Sequence, residues 1–371
     1  MHFPILIDLT IVMALAVAAV YLCNLLKVPS IVGFLVAGII AGPHGLGLVS
    51  ASEEIEVLAE VGVVLLLFII GMEFSFSAFK QMKKTLLMGG GLQVCLTLLL
   101  VAGVSLFLER PLGHAIFDGM LVALSSTAIV LNLLQARSEL DAPHGRTSLG
   151  VLIFQDMAVI PMLLVTPLLA GGAAGAGQSG WMLLAKGAGV IVLMGVAARW
   201  LVPWVLERTV AARNRELFLI TVVLICFAVA WLTASAGLSL ALGAFLAGLI
   251  ISESPYSHQA VSNVLPLRDL FVSVFFLSIG MLMDLSFLWA NLWLVPLAAL
   301  IVVLLKTITG GLATLVLGMP LRVALAAGLS LAQVGEFSFV LAQTGMAHGL
   351  LSNEIYQLFL NISVLTMLFT P

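Results

Sequence analysis

Leu149-Gly150-Val151-Leu152-Ile153-Phe154-Gln155-Asp156-Met157-Ala158-Val159-Ile160-Pro161 is an apolar run broken at its centre by the pair Gln155-Asp156. It reads as the middle of a membrane-spanning helix that carries an ionisable carboxylate at depth. An acid at the bilayer centre costs about 2.5–3.5 kcal/mol on insertion scales, so its presence there points to function. Helices with one such acid typically line an ion path or a proton relay.

The rest of the chain agrees with a membrane setting. The sequence is 62% hydrophobic and 9% charged, with a mean hydropathy of +1.23; an ordinary soluble domain is roughly 25% charged. The fold class is therefore all-α and polytopic, and the short alternating segments of a β-barrel are missing. A net charge of -3 with no basic patch excludes a nucleic-acid partner. About thirteen spans are read, near 4–26, 28–42, 56–76, 85–108, 114–135, 147–170, 181–203, 216–235, 238–254, 265–284, 288–317, 320–345 and 353–371. The loops are brief, so residues 1–371 are read as one transmembrane domain, with Gly171–Gly180 a flexible external linker. Met1-His2-Phe3-Pro4 lacks a basic leader and a cleavage site, and the first segment is expected to be retained as a span. Lys27, Lys80, Lys83, Lys84, Arg137, Arg146, Arg199, Arg208, Arg213, Arg215, Arg268 and Arg322 fall on one set of connections, against Arg110 and Lys186 on the other. The positive-inside rule then places the N-terminus outside and the C-terminus in the cytoplasm of a cell inner (plasma) membrane. Cys23, Cys95 and Cys226 lie singly in apolar segments, with neither metal spacing nor a disulfide framework.

An internal repeat is the second signal. Gly33-Phe34-Leu35-Val36-Ala37-Gly38-Ile39-Ile40 is echoed by Gly243-Ala244-Phe245-Leu246-Ala247-Gly248-Leu249-Ile250, and Leu67-Phe68-Ile69-Ile70-Gly71-Met72 by Phe276-Leu277-Ser278-Ile279-Gly280-Met281. An odd number of spans separates the copies, so the second runs through the bilayer upside down. Such inverted-topology repeats, here about 28–170 and about 238–371, underlie alternating access in secondary transporters. The same offset sets Ala123-Leu124-Ser125-Ser126-Thr127-Ala128-Ile129 against Ala332-Gln333-Val334-Gly335-Glu336-Phe337-Ser338. Both stretches interrupt an apolar helix with small and polar residues, the pattern of two crossing broken helices around an ion site. The plainer alternative for Ser125, Ser126 and Thr127 is close helix packing. Lys306, deep in Ile301-Val302-Val303-Leu304-Leu305-Lys306-Thr307-Ile308-Thr309, calls for a counter-charge, and Asp156 and Glu336 are the candidates. An ion pair that merely joins the repeats is its alternative role. No Ser-His-Asp set, phosphate-binding loop or catalytic carboxylate pair occurs, so an enzyme is not indicated.

Ser125-Ser126-Thr127-Ala128-Ile129, Phe154-Gln155-Asp156-Met157-Ala158, Phe275-Phe276-Leu277-Ser278-Ile279-Gly280-Met281 and Gln333-Val334-Gly335-Glu336-Phe337 together resemble the membrane domain of the monovalent cation:proton antiporter-2 family, in its Kef-type potassium:proton branch. The resemblance covers essentially the whole chain. It implies a sodium:proton-antiporter-like fold of thirteen helices, with dimerisation and core subdomains interleaved, a homodimer, and elevator-type motion. By the same analogy Asp156 binds K+ (or Na+) or a proton, while Gln155, Ser125, Ser126 and Thr127 lend oxygens or orient the site. Lys306 and Glu336 balance the crossing helices. Related sodium:proton antiporters carry two adjacent acids where this chain has Gln155-Asp156, so exchange here is expected to be electroneutral. The family usually continues into a cytoplasmic nucleotide-binding regulatory domain, expected after residue 371, and only that domain would bring a nucleotide; no cofactor is expected in this chain. The glutathione-gated members have acids in a cytoplasmic loop that here reads His258-Gln259-Ala260-Val261-Ser262-Asn263-Val264, which puts glutathione gating in doubt.

Three functions compete: K+/H+ antiport, with Na+ as rival ion; a gated K+ efflux channel; and a pH-responsive membrane sensor without transport. The repeat and the lone acid favour antiport, and no filter-like loop favours the channel.

Overall fold

The computed structural model describes residues 4–26, 28–49, 53–73, 84–170, 189, 197–235 and 239–370. Its regular structure is helical, with no strand among the described residues. The helices run α1 Pro4–Leu26, α2 Ser30–Ala41, α3 Glu53–Glu73, α4 Gly91–Phe107, α5 Leu112–Ala123 and α6 Thr127–Ala136. They continue as α7 Pro143–Leu169, α8 Val202–Ala211, α9 Arg215–Ser235, α10 Leu240–Ser252 and α11 Ser257–Met281. Last come α12 Leu285–Ala290, α13 Leu294–Val316, α14 Leu321–Ser330, α15 Glu336–Ala347 and α16 Asn353–Phe369. A π-helical turn leads into α4 (Thr85–Gly90) and another into α8 (Ala197–Leu201).

Seven helices among the described residues are long and apolar enough to cross a bilayer, counting α5 with α6 as one interrupted span; α2, α10 and α14 are shorter apolar helices. The protein is a multi-pass membrane protein. Its side-chain pattern fits lipid rather than water. On α13, Leu297, Leu300, Leu304 and Ile308 are exposed while Lys306, Thr309 and Thr314 are buried. In water that arrangement would be inverted, because the apolar stripe of a soluble helix faces the core. Lipid accepts the leucines, and the polar groups turn inward to bond with one another.

The chain divides into two compact units, Met1–Ala51 with Ser77–Ala174 and Leu277–Pro371, and Ser52–Phe76 with Gly175–Phe276. In the first, α4 packs along α5 and α13 along α14, with α7 and α16 beside them. In the second, α3 packs most extensively against α10, and α10 against α9. Both units contain a glycine-on-glycine helix crossing. In the first unit a Cβ on Gly38 would strike the Leu277 carbonyl oxygen, and one on Gly280 the Leu35 carbonyl oxygen. In the second, Gly71 faces the Phe245 carbonyl and Gly248 the Phe68 carbonyl in the same manner. The repeat offset exchanges these crossings, since Gly38 aligns with Gly248 and Gly71 with Gly280.

Some boundaries differ from the sequence reading. The span expected from 265 begins at Ser257, so residues 258–264 are helical and not a loop. His258, Gln259 and Ser262 made that turn look soluble, yet they are its outer face, and Ala260 and Val264 are its buried one. The segment expected over 288–317 is two helices, α12 and α13, because Asp284 caps a separate short helix. Most of the span expected over 181–203 lies outside the described residues.

The close crossings can be tested directly. Gly248→Leu is expected to destabilise the protein by about 3 kcal/mol or more, since a backbone carbonyl cannot yield as a side chain does. Gly103→Ala, on α4 with open space around it, is expected to be neutral or to stabilise by about 0.5–1 kcal/mol. Thermal unfolding of both variants in detergent measures the contrast, and equal midpoints would contradict it.

Candidate ion site at two crossing helix breaks

Two half-helix pairs meet in the first unit. After α5 ends at Ala123, Leu124 is extended (φ -85°, ψ 143°), and Ser126 is extended (φ -78°, ψ 109°) before α6 starts at Thr127. Ser126 is the cap of α6, its Oγ accepting from the Ile129 N–H at 3.2 Å. The second break covers residues 331–335, between α14 and α15. Gly335 caps α15 without a side chain, and a Cβ there would lie 2.5 Å from the Ser125 carbonyl carbon and oxygen. Only glycine lets the two backbones approach so closely.

Breaking a helix strands backbone donors and acceptors, which inside lipid must be satisfied within the protein. Here the two breaks satisfy each other. Gly335 N–H donates to the Leu124 carbonyl at 3.1 Å. Ser125 Oγ donates to the Leu331 carbonyl at 2.9 Å. Lys306, fully buried on α13, reaches between them: its Nζ donates to the Leu124 carbonyl at 2.5 Å and to the Gln333 carbonyl at 2.7 Å. Leu124 and Gln333 occupy matching places in the two repeats. The sequence reading looked for a carboxylate partner, but this amine is held by two equivalent carbonyls of the crossing. The amides show the same symmetry. Ser125 N–H donates to Gln155 Oε1 on α7 at 2.7 Å, and Val334 N–H donates to Thr366 Oγ1 on α16 at 3.1 Å.

Asp156, partly buried on α7, sits against the start of α6. Thr127 Oγ1 is 3.1 Å from its Oδ1 and 3.2 Å from its Oδ2, sharing one proton between the two oxygens. Thr127 is the first residue of α6, so the carboxylate lies against the N-terminal end of that half-helix. Glu336 holds the corresponding first position of α15 and is buried. Thus the structure brings Ser125, Ser126, Thr127, Gln155 and Asp156 together, places Lys306 at the crossing, and sets Glu336 at the head of the second half-helix.

Four residues escaped the sequence reading. Gln93 on α4 accepts from Gln155 Nε2 at 2.7 Å and donates to the Ala123 carbonyl at 3.2 Å. Thr97 bonds with Gln93 and, at 2.8 Å, with Thr309. Thr366 takes the Val334 amide. A glutamine and a row of threonines inside apolar helices were the available signals. Among the described residues no group of three or more His, Cys, Asp or Glu gathers as a metal site. Asp284 lies apart from the crossing as the cap of α12, and the Ser286 hydroxyl beside it holds its carboxyl below the usual carboxylate range.

Lys306→Met keeps the length of the side chain but removes the donor from the Gln333 carbonyl. It is expected to destabilise the protein by about 2 kcal/mol, read as a lower thermal midpoint in detergent. An unchanged midpoint would show that the amine does not brace the crossing.

The chain is similar to several known proteins. K(+) efflux antiporter 4 of Arabidopsis thaliana is 36% identical over 349 residues, taking in 92% of this chain and 59% of that protein, so the chain spans about three-fifths of that relative. Iron transporter MagA of Paramagnetospirillum magneticum is 36% identical over 384 residues, covering 100% of this chain and 85% of its own. The structure of the sodium proton antiporter MjNhaP1 from Methanocaldococcus jannaschii at pH 8 shares the fold, with a TM-score of 0.72 over 99% of this chain and 96% of that one at 16% identity. The resemblance read from the motifs is borne out, because residues 11–371 match the family described as sodium/hydrogen exchanger, transmembrane, and the chain belongs to that family.

Proposed function

We propose that the chain exchanges K+ for H+ across the membrane by elevator-type alternating access, one cation for one proton. The observation that carries this reading is Asp156, with both carboxylate oxygens against Thr127 Oγ1 at the N-terminus of α6. A lone carboxylate in that place holds either a proton or a cation, and each bound species weakens the hold on the other. This competition is the physical basis of exchange. Its partner Gln155 cannot titrate, so only one charge alternates and the cycle is electroneutral.

The donor set suits a monovalent ion: one carboxylate with the Thr127 hydroxyl beside it. Iron, named for one relative, prefers several imidazole, thiolate or carboxylate ligands, and no such cluster stands among the described residues. K+ is favoured over Na+ by the name of the Arabidopsis relative. The same reading includes an inverted-topology repeat, dimerisation and core subdomains, a homodimer in the inner membrane with its N-terminus outside, a cytoplasmic regulatory domain following residue 371, and no enzymatic activity.

Purified protein in proteoliposomes carrying a pH gradient and a fluorescent pH dye tests the reading. Added K+ is expected to dissipate the gradient at a rate indifferent to a clamped membrane potential, and Asp156→Asn to fall to the level of empty vesicles. Full exchange by Asp156→Asn would contradict the site. Discrete single-channel openings in planar bilayers would favour a channel, and a faster response to Na+ would reassign the ion.

A further inference from the structure

We propose that Gln93 is a positioning residue of the ion site, which locks the Gln155 amide so that Gln155 braces the broken strand instead of lending its oxygen to the ion. The proposal rests on the reading above that Asp156 and Thr127 hold the cation. It follows from the direction of each hydrogen bond in a buried chain that runs from α7 through α4 to α13.

One end of the chain is the Ser125 N–H, a backbone donor that can only face an acceptor. It therefore fixes Oε1 of Gln155 toward itself, at 2.7 Å. Gln155 Nε2 is then turned away and donates to Gln93 Oε1 at 2.7 Å and to Ser125 Oγ at 3.3 Å. At the other end stands the Ala123 carbonyl, a backbone acceptor that can only face a donor. Gln93 Nε2 donates to it at 3.2 Å and to Thr97 Oγ1 at 3.1 Å. Thr97 Oγ1 lies 2.8 Å from the backbone carbonyl of Gln93 and 2.8 Å from Thr309 Oγ1, a contact in which either hydroxyl can donate, and Thr309 Oγ1 in turn reaches the Lys306 carbonyl at 3.2 Å. Each group then makes bonds its chemistry allows.

Neither glutamine can flip alone. Turning Gln155 would set its NH2 against the Ser125 N–H, and turning Gln93 would set its oxygen against the Ala123 carbonyl. The Gln155 oxygen is thus committed to the strand that leads directly into Thr127, next to the carboxylate. Its effect on the ion is indirect. It keeps residues 124–126 extended, which sets where the Thr127 hydroxyl meets Asp156. Gln155, Gln93, Ser125 and Thr97 are all buried, so water does not substitute for a lost partner.

The test is a double-mutant cycle on K+-driven exchange in proteoliposomes, with KM and maximal rate measured separately. Gln93→Leu is expected to raise the KM for K+ about tenfold, in the range found when a group that orients a ligand is removed, with a smaller change in maximal rate. Because Gln93 acts through Gln155, the double variant Gln93→Leu/Gln155→Leu is expected to match Gln155→Leu alone. Gln93→Asn keeps both an amide oxygen and an amide donor, one methylene shorter, and is expected to give a KM between those of the wild type and Gln93→Leu. An unchanged KM in folded Gln93→Leu, or multiplied effects in the double variant, would overturn the proposal. If Gln93→Leu does not fold, an unchanged KM in Gln93→Asn, whose shorter side chain cannot span both the Gln155 amide and the Ala123 carbonyl, would overturn it. Asp156→Asn is assayed alongside. Exchange surviving there counts against the ion-site reading itself, whereas exchange lost there with Gln93→Leu unaffected counts only against the role of Gln93.

Discussion

Backbone groups freed where a helix breaks inside lipid have no water to turn to, and the way this chain satisfies them fixes everything around the candidate site. The Lys306 amine between the Leu124 and Gln333 carbonyls is the centre of that solution. It sits where two repeat-related strands cross, and it gives the same donor to the same position of each. Around it the two strands exchange further bonds, from Gly335 N–H to the Leu124 carbonyl and from Ser125 Oγ to the Leu331 carbonyl. Gln155 and Thr366 take the remaining amides from the flanking helices. A crossing built this way is rigid, because almost any shift of one strand would leave a buried polar group unpaired, at about 1–3 kcal/mol each.

In the proposed exchange, rigidity at the crossing is what allows one carboxylate to serve as a switch. The unwound strands end in the first residues of α6 and α15, and these positive helix ends are held in place by the same bonds. Thr127 at one end meets Asp156, while Glu336 occupies the other. In the proposed exchange the scaffold contributes fixed dipoles and hydroxyls, and only the occupant of the carboxylate changes. Gln155 is best understood as part of the scaffold. An acid in its place would compete for protons beside Asp156, whereas an amide both donates and accepts without titrating.

Much of this was legible in the sequence, and the residues show why the rest was not. The membrane fold is written in apolar length, and the breaks in polar interruptions at Ser125-Ser126-Thr127 and Gln333-Val334-Gly335-Glu336, because two such interruptions at one repeat offset are more than close helix packing requires. The acid of α7 announces itself by its cost. Lys306 announces a need for a partner but not which one, since a sequence displays charged side chains and hides stranded carbonyls. Gln93 and Thr97 are single polar residues in ordinary apolar helices, and only the folded chain shows that they abut the end of α5. The start of α11 was misplaced for a related reason. His258, Gln259 and Ser262 look like loop residues until the buried Ala260 and Val264 reveal a helix face.

The central claim is that one carboxylate trades a proton for a potassium ion. It is tested most directly by titrating the detergent-solubilised protein with K+ in a weakly buffered solution and measuring the protons released. The account predicts a release that rises toward one proton per ion bound as the pH is lowered and the carboxyl becomes protonated in the absence of the ion, and none from Asp156→Asn. Binding of K+ without proton release at any pH, or the same release from Asp156→Asn, would contradict it.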